Sequence, residues 1–358
     1  MKLSRLGEFG LIERVRRTTI QGSGVNLGIG DDAAWVQARF GSCLLTADLL
    51  IEGVHFDFRW TSLYALGYKT LAVNMSDIAA MGGTPAYLLL SLGIPAAFES
   101  QDVEEFYRGI RSLARKSGVA VVGGDTSIAK SLFISACLVG QVPYRPITRS
   151  GAQAGDDIYV TGTLGDSGLG LKLLKQKSPK LTQRTAKFLL RRHYYPTARV
   201  QVGKTLAKEK LARAMIDISD GLLQDLGHIC KTSHVGAIVK EENLPLSPAY
   251  RSLTGRDGTD HALAGGEDYE LLFCARRRDR SRIEKLEKFV DVPISRIGTC
   301  VHPRDGITVL NRKGDSIAVR AGGHDHFKRK YLAVCKYPRN GAVINRKSEW
   351  TRNESQNF

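Results

Sequence analysis

The chain lacks the signatures of several large functional classes. Six cysteines (Cys43, Cys137, Cys230, Cys274, Cys300, Cys335) are scattered without a Cys-x-x-Cys pair. That spacing excludes ordinary zinc-binding motifs and a secreted disulfide framework, and it predicts reduced thiols in a cytoplasmic protein. No long hydrophobic run exists: the longest apolar stretch, about Ala86 to Phe98, is interrupted by Ser91, Gly93 and Pro95 and is too short to span a bilayer. Met1–Glu8 holds no apolar signal core, so no membrane association is expected. No Gly-Lys-Ser/Thr closes a Walker A loop. No RNA-recognition signature and no short repeat is found. Acidic residues are in deficit too: 36 Asp+Glu against 52 Lys+Arg leave a net charge of +16. Part of the excess lies beyond residue 327, and more at Arg276–Arg278 and Arg191–Arg192. Basic charge attracts nucleic acid, anionic lipid or phosphorylated ligands. Without a nucleic-acid motif it reads as solvated surface, and nucleic acid is not an expected partner.

What is present is a globular composition, 42% hydrophobic and 25% charged, long enough for two domains. Helix-like and strand-like stretches alternate, which predicts an α/β or α+β fold. Helical periods cover about 7–20, Leu63–Met81, Asp102–Lys116, Gly221–Cys230 and Arg280–Phe289. Strand-like runs cover Ser42–Leu50, Tyr87–Leu92, Val119–Val122, Leu132–Val142, Ile158–Thr161, Ala214–Ile218 and Tyr269–Ala275. The segment Pro143–Gly155 has two prolines, two glycines and no period, so a boundary is placed there. The expected division is 1–145, 146–327 and a basic tail, 328–358, with no assigned role.

Six short acidic motifs punctuate this pattern: Gly30-Asp31-Asp32, Thr46-Ala47-Asp48, Asn74-Met75-Ser76-Asp77, Gly123-Gly124-Asp125-Thr126, Asp217-Ile218-Ser219-Asp220 and Gly265-Gly266-Glu267-Asp268. Most sit beside glycine or at the end of an apolar run. Carboxylates converging on one cleft repel one another unless cations lie between them. Mg²⁺ with oxygen ligands is the natural filler, and it commonly accompanies phosphate. Thr46 and Asp48 fall on one face of a strand, a plausible metal corner. Asp77 interrupts an otherwise apolar helix, where a buried acid needs a partner. The Gly123-Gly124 pair reads as a turn through which backbone approaches phosphate. Asp217 and Ser219 share a strand face, and Ser219 or Asp220 suits the N-cap of the next helix. A plain capping turn explains Ser219 and Asp220 but not Asp217. The glycine-rich loop 162–170 is explained well enough as a turn. Arg149 is suited to neutralising phosphoryl charge, though any surface arginine would fit as well.

In order and spacing, these motifs resemble the thiamine-monophosphate kinase family over about Gly7 to Phe327. The runs are Gly-Ile-Gly-Asp-Asp-Ala, Thr-Ala-Asp-Leu-Leu-Ile-Glu-Gly-Val-His-Phe, Leu-Ala-Val-Asn-Met-Ser-Asp-Ile-Ala-Ala-Met-Gly, Val-Gly-Gly-Asp-Thr, Arg-Ser-Gly-Ala, Asp-Ile-Ser-Asp-Gly-Leu and Gly-Gly-Glu-Asp-Tyr-Glu-Leu. The wider superfamily resembles aminoimidazole ribonucleotide synthetase. The resemblance implies a two-domain fold, the N-terminal sheet joining a dimeric barrel and the C-terminal part an α/β domain, and it implies a homodimer. It implies Mg-dependent transfer of the γ-phosphoryl of ATP to thiamine monophosphate. Carried over by position, Asp32, Thr46, Ala47, Asp48, Asp77, Asp125, Asp217 and Asp220 match metal positions. Tyr107, Gly124, Asp125, Arg149 and Ser219 match nucleotide positions, and His55, Glu267 and His324 match the acceptor pocket. Asp48, Asp125 and Arg149 are the expected catalytic residues, with Asp31 in support. Two departures stand out: Ala47 replaces a common hydroxyl residue, and His324 replaces an aromatic. The acceptor, a phosphate monoester largely dianionic near neutral pH, needs no general base, so direct in-line transfer is expected. The rival readings are a purine-biosynthesis synthetase of the same superfamily and a basic nucleic-acid-binding protein on a retired enzyme scaffold. A selenophosphate synthetase is disfavoured because no cysteine precedes Asp31.

Overall fold

The apolar run after residue 41 forms β3 (Gly41–Ile51), an interior strand of a six-stranded sheet. Its companions are β1 (Val25–Leu27), β2 (Ala34–Ala38), β4 (Thr84–Pro95), β5 (Ala120–Ala129) and β6 (Phe133–Val142), in the order β1-β2-β3-β6-β4-β5. All neighbours are antiparallel except the parallel pair β4–β5. The computed structural model describes residues 25–38, 41–175, 182–255 and 258–317, with the helical positions 10, 12, 13 and 16. The remainder of the helix expected at 7–20, His324 and the basic tail lie outside the described residues.

Helix α1 (Leu63–Ala80) lies over one face of this sheet. Ser62 starts it by accepting the Ala65 N–H, which satisfies an otherwise orphaned donor. Its residues are buried nearly all round, because it is enclosed on several sides. Helix α2 (Ser100–Ser117) crosses it where two glycines meet backbone. A Cβ on Gly67 would stand 1.9 Å from the Phe106 carbonyl oxygen, and one on Gly109 2.0 Å from that of Tyr64. Leu44, Leu66, Leu71, Ile78, Leu88 and Leu138 fill the core between α1 and the sheet.

The second sheet has the order β13-β12-β9-β11-β7-β10-β8. Its strands are β7 (Asp157–Thr161), β8 (Ala214–Asp217), β9 (Gly236–Lys240), β10 (Leu271–Ala275), β11 (Ile294–Val301), β12 (Ile307–Leu310) and β13 (Ser316–Ile317). Only β9–β12 is parallel. β7 and β10 are buried at every position, so alternate side chains serve two cores. Leu272 and Cys274 join Leu169 of α3 (Asp166–Lys175), Leu189 of α4 (Gln183–Tyr194) and Leu226 of α6 (Leu222–Ser233). Leu271 and Phe273 join Leu206 of α5 (Val200–Lys208), Ile283 of α9 (Arg280–Val290) and, from α1, Ala79 and Ala80. α7 (Pro248–Thr254) and α8 (Asp260–Ala264) are two further short helices. α1 therefore belongs to the cores of both sheets. Gly203 of α5 fits against it so closely that a Cβ would lie 2.0 Å from the Ala79 carbonyl oxygen.

Two local expectations are corrected. Gly123-Gly124 is not a turn: β5 continues through it to Ala129. Gly124 is required by strand packing, since at φ 152° a Cβ would sit 1.7 Å from the Leu90 carbonyl oxygen. The helix after Asp217 is capped by neither Ser219 nor Asp220. Gly221 occupies the cap position, and the buried Asp225 carboxylate accepts the N–H groups of Asp220 at 3.1 Å and Gly221 at 3.0 Å.

Candidate active site

The strand ends and α1 bring three carboxylates together. Asp32, Asp77 and Asp217 each present an oxygen within 4.8 Å of the others. Asp32 comes from the bend between β1 and β2, Asp77 from the last turn of α1, and Asp217 from the end of β8. Each is held by a neighbour. Thr46 donates to Asp77 Oδ2 at 2.5 Å, Ser76 donates to Asp217 Oδ2 at 2.6 Å, and Arg149 Nη2 donates to Asp32 Oδ1 at 2.8 Å. The second Asp32 oxygen is buried with no hydrogen-bond partner. Asp31 steadies the arginine by accepting its backbone N–H at 2.9 Å.

The electrostatics of this cluster are those of surplus negative charge. Burial pushes Asp48 up to about 6 and Asp217 up to about 8, the latter with help from Asp32. Asp77 is raised well above the usual carboxylate range, first by burial and then by Asp48 and Asp217. Asp31 is raised to about 7 by burial and by Asp32. Five acids within mutual influence (Asp31, Asp32, Asp48, Asp77 and Asp217), in part dry and opposed chiefly by Arg149, fit a divalent cation well. The donor set is all oxygen, and one buried oxygen waits unpaired.

The other expected residues divide into two groups. Asp48 lies on the α1 side of the sheet with Thr46 and is felt by Asp77 and Asp217. Asp220 follows Asp217 at the head of α6 and accepts from Gln224. Ser219 is bound through its backbone, its carbonyl accepting the Glu267 N–H at 2.7 Å. His55 stands in the turn after β3, its Nδ1 accepting the Ile51 N–H, and its influence reaches Glu267. By contrast, Ala47 is exposed on the opposite sheet face. Asp125 is also not gathered into the cluster. Its row runs Leu49–Ser135–Ser91–Asp125, on the face α1 leaves uncovered. Tyr107 lies on α2, its ring edge-on to Phe106.

The acids of Gly-Gly-Glu-Asp-Tyr-Glu have separate functions. Asp268 accepts the Gly165 and Ser167 N–H groups and so caps α3. The glycine-rich loop is thus occupied by this chain's own carboxylate. Glu270, fully buried, takes Arg199 through two nitrogens at 2.5 and 2.6 Å and Arg192 at 2.8 Å. Glu267 turns toward the site, with Lys69 Nζ 2.8 Å and His193 Nδ1 3.3 Å from its two oxygens. Sequence reasoning assigned no role to Lys69, Ser76, His193, Asp225 or Glu270. A lysine within the buried span of α1 was the one available signal.

A two-part α+β fold with a buried acid cluster held between its sheets defines a class. Residues 30–142 match the model of the AIR synthase related protein, N-terminal domain, and residues 153–310 that of the C-terminal domain. The thiamine-monophosphate kinase of Aquifex aeolicus is 38% identical over 91% of this chain and 100% of its own length. The solved structure of AaThiL complexed with AMPPCP and TMP has a TM-score of 0.79 at 37% identity, covering 91% of this chain and 99% of that one. The thiamine-monophosphate kinase structure from Stenotrophomonas maltophilia has a TM-score of 0.71 at 41% identity, over 87% and 98%. The chain belongs to the thiamine-monophosphate kinase family. No helix among the described residues is long and apolar enough to cross a membrane.

Proposed function

We propose that this protein transfers the γ-phosphoryl group of ATP to thiamine monophosphate, giving thiamine diphosphate and ADP. The reading is carried by the Asp32–Asp77–Asp217 cluster with Arg149 against it. The relatives' names and the AMPPCP and TMP in a neighbouring structure support the choice of substrates. Asp32, Asp48, Asp77 and Asp217 would hold Mg²⁺, with Thr46 and Asp220 beside them. When bound, the ion supplies neutralising charge between two anionic phosphates.

The chain's own residues do the rest. Thr46 and Ser76 fix the directions of Asp77 and Asp217. Arg149, kept firmly charged by Asp32 and Asp31 despite its burial, offers a guanidinium to the transferring group. Ser219 and Gly124 belong to the nucleotide side of this reading and Tyr107 to its margin. His55 and Glu267 border the acceptor, with His324 as a further acceptor residue. No side chain need remove a proton, because the attacking phosphate is already ionised.

A homodimer is part of the proposal. β5 is an exposed edge strand whose Val122 and Ile128 are apolar and 55% and 76% exposed, a surface that invites another chain. Asp125 lies on the uncovered face, so its metal role is assigned to a site completed by a second copy. Two domains meeting at 143–155 and a cytoplasmic location complete the reading. The test is incubation with Mg-ATP and thiamine monophosphate, with thiamine diphosphate as the expected product. ADP release only with a formylglycinamidine ribonucleotide would replace this reading with the purine-synthetase one.

A further inference from the structure

Lys69 occupies a costly position for an ammonium group. Its side chain is 9% exposed, inside a largely apolar helix, and its partner is Glu267 Oε1 at 2.8 Å. The other Glu267 oxygen faces His193 Nδ1 at 3.3 Å, and that nitrogen also lies 3.1 Å from Ser167 Oγ. Burial and the nearby Lys69 push the imidazole down to about 3, so it is neutral; with its proton on Nδ1 it can donate to the carboxylate. Glu267 itself has φ 66°, a left-handed backbone that a residue with a side chain keeps only when its surroundings fix it. Gly266 before it leaves room for the Ser219 carbonyl, where a Cβ would come within 2.5 Å.

Lys69 and Ser76 are seven positions apart on α1 and therefore on one helix face. That face grips the second sheet region at two levels, Ser76 on Asp217 and Lys69 on Glu267. The levels are separated by two turns, about 10 Å. One level is the metal end of the site. The other holds a single half-buried carboxylate, kept ionised because an ammonium lies against it.

We propose that Lys69, assisted by His193, is a positioning residue that fixes Glu267 as an ionised partner for the cationic heterocyclic end of the acceptor, setting how far that end lies from the acid cluster. This rests on the reading of Glu267 as an acceptor-pocket residue. A purely structural ion pair would instead affect stability, or both substrates alike.

The experiment measures KM for thiamine monophosphate and for Mg-ATP separately, on the full chain and on K69M, K69R, H193Q, E267Q and K69M/E267Q. K69M is expected to raise the KM for thiamine monophosphate about tenfold while leaving that for Mg-ATP within about twofold. K69R should recover most of the loss, and the double variant should be no worse than E267Q alone. An unchanged thiamine-monophosphate KM in K69M, or equal changes in both KM values, overturns the inference while E267Q still shows its defect. If E267Q itself leaves the thiamine-monophosphate KM unchanged, the acceptor-pocket reading fails instead. Should K69M not fold, H193Q decides: a severalfold selective rise supports the proposal, and an unchanged value overturns it.

Discussion

Ser76 and Asp217 are 141 positions apart in the chain, yet the serine hydroxyl donates to the aspartate at 2.6 Å in a buried setting. One residue rides on the helix that covers the first sheet, and the other ends a strand of the second. Ser76→Ala leaves a buried carboxylate oxygen without its donor, a loss of about 1–3 kcal/mol. The expected result is a lower denaturation midpoint in urea and a fall in kcat, both read on the same preparation.

Asp77→Asn and Asp217→Asn separate catalysis from folding. Each removes a carboxyl that the crowded cluster must either hold charged or protonate at a cost, so the metal-free protein should melt at a higher temperature than the parent. Turnover should fall by about a hundredfold or more, as when a group acting on transition-state charge is lost. Melting curves in EDTA and an ADP-release assay give the two numbers. Near-normal turnover in both variants would remove these acids from the metal site.

The pH dependence of the metal-free protein has a definite sign. Asp48 and Asp217 are raised by burial to about 6 and about 8 in the folded state, above their unfolded values. Carboxyls raised in this way favour folding fully at low pH, and that contribution is lost as pH rises through the folded values. Stability in EDTA should therefore decline between about pH 4 and 8. Saturating Mg²⁺ should flatten the decline and raise the melting temperature, since a ligand of the folded state stabilises it by mass action. Calorimetry across that range, with and without Mg²⁺, is the check.

The exposed β5 edge gives a prediction about assembly. Ile128→Arg places a charge on a strand with no cover in the single chain. Sedimentation should show a dimer for the parent and a monomer for the variant. Activity should fall with the dimer, because Asp125 belongs to the same strand.

The motifs revealed the acids but not their partners. Helix period alone marked out α1 to within a residue, because its length and apolar content leave little choice. Asp77 and Asp217 were visible as acids that an apolar helix or a plain capping turn does not explain, whereas Asp32 by itself fitted an Asp-rich turn equally well. Glu270 and Asp268 looked the same in sequence as Glu267, and only Arg192 of α4, Arg199 at the N-cap of α5 and the head of α3 distinguish them. Those contacts join residues about a hundred positions apart, and no local pattern encodes them. The Gly123-Gly124 pair misled for a similar reason. A turn and a tight strand crossing both call for glycine, and the choice between them is made by Leu90 on another strand.

Lys69, Ser76 and Asp77 occupy one helix whose angular setting is locked at both ends by glycine contacts, through Gly67 and Gly203. Adding a single residue between Lys69 and Ser76 would swing everything downstream by about 100° about the helix axis. Ser76 would lose Asp217 and Asp77 would lose Thr46, while Lys69 kept Glu267. α1 thus acts as a camshaft: a shift in its timing uncouples the two ends of the site at once.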